Sequence, residues 1–141
     1  MRKKVVMIVD SDTILLGELK SMIESYDLEV ETLTDGAIAV RIAEEKQPDI
    51  ILLDMKMPGK SGFQVADDLK QFTATSEIPI IAMTSHYTEP QHKNFMISLG
   101  ISDCIIKPFD PREVILKIRE FILNNDEQCK QSRDEVFMKD N

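Results

Sequence analysis

Residues 50–54 read IILLD, four aliphatic side chains closed by an acid. A continuous run of this kind suits a strand buried on both faces, as in a parallel sheet covered by helices. Working outward, four further runs have the same form: VVMIVD at 5–10, LEVETLTD at 28–35, PIIAMT at 79–84 and CIIK at 104–107. Each ends on a polar residue. Ligands of such sheets bind in the crevice outside the carboxyl ends of the strands. Asp10, Asp54, Thr84 and Lys107 would therefore meet in one place, bringing together two acids, a hydroxyl and an amine.

Helical patterns fill the intervals. Leu15, Leu19, Met22, Ile23 and Tyr26 recur on one helical face after the first run. The second run, Leu28 to Leu33, is the most polar of the five and suits an edge strand. Asp35-Gly36 opens a helical stretch through Glu45, and Pro48 precedes the third strand, Ile50 to Leu53. Ser61 to Gln64 has the form of a capping box, starting a helix that runs to about Phe72. The fourth strand spans Ile78 to Met83 with Pro79 near its start, where proline is tolerated. Thr88-Glu89-Pro90 opens a fourth helix and Gly100 closes it. Asp110-Pro111-Arg112-Glu113 starts a fifth, with Val114, Ile115, Ile118, Phe121 and Ile122 as its apolar stripe. Strand and helix alternate five times, so the fold class is α/β: a doubly wound, five-stranded parallel sheet. Residues 124–141 turn polar and read as a tail or the start of a linker.

The bulk properties exclude several function classes. At 141 residues the chain suits one domain with a real core. The net charge of −8 argues against a nucleic-acid surface and suits solubility. Cys104 and Cys129 make neither a disulfide framework nor a zinc cluster, and they fit a reducing cytosol. Asp10 and Asp12 break the N-terminal apolar run, which makes a poor signal peptide. No run approaches membrane-spanning length. A cytoplasmic location is expected.

Four motifs carry a family resemblance: VDSD at 9–12, LLDMKMPGKSG at 52–62, AMTS at 82–85 and KPF at 107–109. In this order and at these separations they make residues 3–123 resemble the receiver domain of two-component response regulators. The resemblance implies the flavodoxin-like strand order 2-1-3-4-5. It implies that Asp54 is the phosphoacceptor, with Lys107 paired to it and Thr84 donating its hydroxyl to the phosphoryl group. Mg²⁺ is the implied cofactor, held by Asp10, Asp54 and the backbone carbonyl of Lys56. A cis Lys107–Pro108 bond is implied as well. The implied partners are a histidine kinase or phosphotransfer protein, and a downstream protein or a second copy on the helix 4–strand 5–helix 5 face. Direct nucleic-acid or membrane contact is not implied. The domain would be a phosphorylated substrate rather than a turnover enzyme.

Two positions depart from the family. The second acid after strand 1 is replaced by Ser11, with Asp12 one residue further on. Either Mg²⁺ binding is weaker, or Asp12 compensates through water; Asp12 also suits the N-cap of the first helix. Cys104 stands where receivers often carry an aromatic ring that moves inward when the threonine engages phosphate. It reads as a small apolar core residue, which leaves coupling to another side chain such as His86 or Tyr87, or to a weak output. His86 and His92 lack metal-like spacing and read as exposed polar residues.

Rival readings follow from the same residues. VMIVDSDT resembles the start of haloacid-dehalogenase-type phosphatases, with Asp10 as nucleophile, but no later acidic strand end completes that metal site. A pseudo-receiver would bind protein without phosphate, and Ser11 and Cys104 motivate it. A flavodoxin-like cofactor binder lacks a Gly-rich loop after strand 1.

Overall fold

The computed structural model describes residues 2–122. The sheet has the order β2-β1-β3-β4-β5 with all pairs parallel. Its strands are β1 (Val5–Val9), β2 (Glu29–Leu33), β3 (Ile50–Asp54), β4 (Ile80–Thr84) and β5 (Asp103–Ile106). The helices are α1 (Thr13–Glu24), α2 (Ala39–Lys46), α3 (Gly62–Gln71), α4 (Pro90–Ser98) and α5, which begins at residue 111. Residues 124–141, the polar stretch, lie outside the described residues. Among the described residues no helix is long and apolar enough to cross a membrane.

Side chains alternate across the central strands, and each strand feeds two cores. Met7, Val9, Ile51 and Leu53 face one layer, formed by α2, α3 and α4. Val6, Ile8, Ile50 and Leu52 face the other, formed by α1 and α5. The aliphatic runs are continuous because both faces are dry. Complete burial of each such side chain contributes about 1.5–3 kcal/mol. β2 is one of the two outer strands and is only partly buried, in keeping with its polar sequence.

Local chemistry fixes the ends. Asp12 caps α1, its carboxylate accepting from the amides of Ile14 and Leu15. Ser61 and Gln64 form the expected capping box of α3. Two boundaries differ from expectation by more than one residue. The stretch opened by Asp35 begins as a 3₁₀ turn, Gly36–Ile38, before α2 proper: the Asp35 carboxylate caps the Ala37 amide, and the Ala39 amide donates to the Gly36 carbonyl three residues back. β4 begins at Ile80 rather than Ile78, since the Ile78 amide donates to Thr75 in a turn and Pro79 has no amide to offer.

Candidate functional site

Backbone hydrogen bonds bring the strand ends together. The Met55 amide donates to the Met83 carbonyl, and the Lys107 amide to the Thr84 carbonyl. Asp54, Thr84 and Lys107 thus lie at the same end of adjacent strands, with Asp10 following β1 on the far side of β3. Asp10, Asp54 and Thr84 are three of the four buried polar side chains among the described residues; the fourth, Thr75 after α3, donates its hydroxyl to the Leu69 carbonyl and takes no part in the site.

The charges are shared unevenly. Lys107 Nζ lies 2.7 Å from Asp10 Oδ2 and 3.7 Å from Asp54 Oδ1. The lysine therefore bridges both acids and is closer to Asp10. Asp10 Oδ1 accepts from the Asp12 amide at 2.9 Å, and Asp54 Oδ1 accepts from the Lys56 amide at 3.3 Å. Burial, and after it the neighbouring Asp10 carboxylate, push the Asp54 carboxyl above the usual carboxylate range. The Lys107 ammonium and the Lys56 amide act in the opposite direction.

Two carboxylates facing one ammonium leave an excess of negative charge among hard oxygen donors. That donor set fits Mg²⁺, which takes one or two carboxylates and keeps several waters. Among the described residues, no group of three or more His, Cys, Asp or Glu gathers as a metal cluster. The Asp12 carboxylate is occupied at the start of α1, and Ser11 is exposed.

Around this centre, Thr84 Oγ1 accepts from the amides of His86 (3.1 Å) and Tyr87 (2.9 Å). The Lys107–Pro108 bond is cis. Gly62 opens α3 against β3, where a Cβ would lie 2.2 Å from the Asp54 carbonyl oxygen. An open cleft of about 400 Å³ lies beside the site between Leu15, Glu18 and Lys107-Pro108-Phe109. Cys104 is half-buried and lines a groove of about 210 Å³ against α4 with Lys93, Met96 and Ile106. His86 is exposed as expected, but His92 is not: it is half-buried, accepts the Glu89 amide on Nδ1 and packs on Tyr87. Sequence reasoning missed Phe63, which stands edge-on to Tyr87, and Phe95, which packs on Phe63. Phe63 lies in the first turn of α3 and Phe95 past the middle of α4, and nothing in one-dimensional spacing links them.

The comparisons with known proteins agree with one another. The family model for the response regulator receiver domain matches residues 6–119. The DNA-binding response regulator MtrA of Mycobacterium tuberculosis is 30% identical over 128 residues, covering 91% of this chain and 54% of its own length. The sensory transduction protein RegX3 of the same organism is 31% identical over 132 residues, covering 94% and 56%. The chain thus spans little more than half the length of these curated relatives. Chemotaxis protein CheY4 of Vibrio cholerae superposes with a TM-score of 0.80 at 24% identity, covering 85% of this chain and 99% of that one. The receiver domain of sensor histidine kinase PA1611 from Pseudomonas aeruginosa, solved with a magnesium ion coordinated in its active-site cleft, gives 0.77 at 25% identity, covering 86% and 98%.

Proposed function

We propose, from the premise that this chain belongs to the response regulator receiver domain family, that it is a phosphorylation switch charged on Asp54. The observation that carries this reading is the Asp10–Lys107–Asp54 constellation, two buried acids and a half-buried lysine, at the carboxyl ends of β1, β3 and β5. It holds a carboxylate nucleophile beside a cation that can follow the transferred charge.

An Asp54 carboxylate oxygen attacks phosphorus while the bond from phosphorus to the donor breaks, and the departing group keeps the electron pair. The donor is the phosphohistidine of a histidine kinase or phosphotransfer protein, or a small acyl phosphate. The product is an acyl phosphate on Asp54. Such transfer depends on positioning and charge stabilisation more than on covalent help. Lys107 supplies a positive charge already within reach of both carboxylates, and Thr84 supplies a hydroxyl hydrogen, since both its lone pairs accept backbone amides. Asp10, Asp54 and the Lys56 carbonyl would hold Mg²⁺, which when bound neutralises charge on the phosphoryl oxygens. With Ser11 exposed and Asp12 engaged in capping, the chain offers this cation two carboxylates rather than three.

The domain is modified once per signal, so it acts as substrate and switch rather than as a turnover enzyme. The acyl phosphate shifts a population toward an active arrangement of the Thr84 loop and the α4–β5–α5 face, where a downstream protein or a second copy docks. The reading also includes a cytoplasmic location and a receiver unit over residues 3–123. DNA binding, named for MtrA, is not carried over to this segment.

The test is mass spectrometry after acetyl phosphate and Mg²⁺ treatment of wild type, Asp54→Asn and Asp10→Asn. The expected result is one phosphate on the wild type and none on Asp54→Asn. Phosphate retained on Asp54→Asn and lost on Asp10→Asn would transfer the nucleophile to Asp10, as in a phosphatase. No phosphate on any variant would favour the pseudo-receiver, which the exposed Ser11 also suits.

A further inference from the structure

Phosphoryl transfer at Asp54 makes no use of the aromatic rings gathered beside β4. Tyr87 stands edge-on to Phe63 of α3, with ring centroids 4.9 Å apart and planes at 83°. It stands edge-on to His92 of α4 at 5.3 Å. Phe63 in turn meets Phe95 of α4 at 5.4 Å. One loop residue thus joins two helices through contacts in the range that aromatic pairs favour.

The cluster is tied to the reacting residues at two points. The Tyr87 amide donates to Thr84 Oγ1 at 2.9 Å. Phe63 follows Gly62, whose amide donates to the Met55 carbonyl at 3.2 Å, directly after the phosphoacceptor. The start of α3 lies against the backbone of Asp54 too closely to admit a Cβ at residue 62.

Resting on the reading of Asp54 as phosphoacceptor, we propose that Tyr87 is the positioning residue that carries the state of Thr84 to α3 and α4: its amide senses the hydroxyl, and its ring repositions Phe63 and, through it, Phe95. When a phosphoryl oxygen draws the Thr84 hydroxyl, Oγ1 either leaves the Tyr87 amide or takes the loop with it. The first releases the Tyr87 amide from its anchor and the second draws its backbone along, so either way the hold on the loop changes. The ring is wedged between Phe63 and His92 and cannot follow without disturbing them, because packed groups move between discrete arrangements. Cys104 packs against the same apolar cluster from β5 but presents no ring, and it leaves a groove beside α4. The aromatic reporter thus sits on the loop after β4, and its output reaches α3 as well as α4.

Aromatic and amide NMR of the full chain, with and without beryllium fluoride plus Mg²⁺, tests this in wild type, Tyr87→Phe, Tyr87→Leu and Phe63→Leu. In wild type the mimic should shift the Met55 amide and the Phe63 and Phe95 ring signals together. Tyr87→Phe keeps the ring and should keep all three shifts. Tyr87→Leu keeps the amide and an apolar side chain but should lose most of the ring shifts while retaining the Met55 shift. Phe63→Leu interrupts the route from the other side and should lose most of the Phe95 shift. Wild-type ring shifts that persist in both leucine variants would overturn the proposal. So would a Met55 shift in wild type without ring shifts, and Asp54 would then stand as phosphoacceptor without this relay. If the wild-type Met55 amide does not respond either, both readings fail.

Discussion

On the proposed reading two demands conflict at Asp54, since a carboxylate nucleophile must be ionised and its surroundings resist ionisation. Burial and the Asp10 carboxylate raise its pKa from the ordinary 3.8, and Lys107 offsets this only in part. The folded chain therefore binds that proton more tightly than the unfolded chain does. By linkage, stability falls as pH rises from the ordinary value through the raised one, and it stays lower above it. Asp54→Asn removes the penalty. In metal-free buffer it should unfold at a higher temperature than wild type at neutral pH, with the gain shrinking as pH is lowered toward the ordinary carboxylate range. Circular dichroism melts across that interval would decide it; a gain independent of pH would assign the effect to packing instead. The position of Asp54 was legible because an acid closing an aliphatic run stands out. The sharing of Lys107 was not: its approach to Asp10 at 2.7 Å and Asp54 at 3.7 Å depends on side-chain reach across the sheet. Asp12 lay between, its capping role readable from residue type and place and its hydrogen bonds visible only in three dimensions.

Among the elements, the strands were the most legible, because burial on both faces selects one kind of residue along the whole run. α4 was less so. Only Met96 of its apolar residues is buried, while Phe95 and Ile97 are exposed, so apolar spacing does not mark its inner face. The junction of α3 with β3 was hidden for another reason. Gly62 reads as the last letter of a loop motif, but a Cβ there would lie 2.2 Å from the Asp54 carbonyl oxygen and 2.6 Å from Met55 Cα. Both are backbone atoms and cannot turn aside. Gly62→Ala must push α3 away from the strand and should cost about 1–3 kcal/mol or more. Gly17 is the internal control: it sits exposed in α1 with nothing within 4 Å of a built Cβ. Gly17→Ala should stabilise by about 1 kcal/mol through helix propensity alone. Urea unfolding of the two variants should give opposite signs. Equal effects would show that α3 has room to move.

Over the described residues the molecule is two cores divided by one sheet, and the site touches both. Tyr87 and Cys104 pack on the α2–α3–α4 side, whereas Phe109, which follows Lys107-Pro108, packs on the α1–α5 side. In the proposed switch, a phosphoryl group on Asp54 would engage Thr84 and Lys107 at once and so enter both cores by separate doors. The Thr84 route passes through a hydroxyl whose two lone pairs already hold the loop after β4. The Lys107 route passes through an ion pair that must be redistributed from Asp10. A ligand shifts an equilibrium only through contacts that differ between the two states, so removing one contact should silence one side. Amide hydrogen exchange with and without beryllium fluoride plus Mg²⁺ should change in wild type around residues 62–71, 84–98 and 107–118. In Thr84→Ala the response of residues 62–71 and 84–98 should fall away, while that of residues 107–118 persists through Lys107. Loss of both together would mean that the two layers move as a single unit and that Thr84 controls the whole sheet.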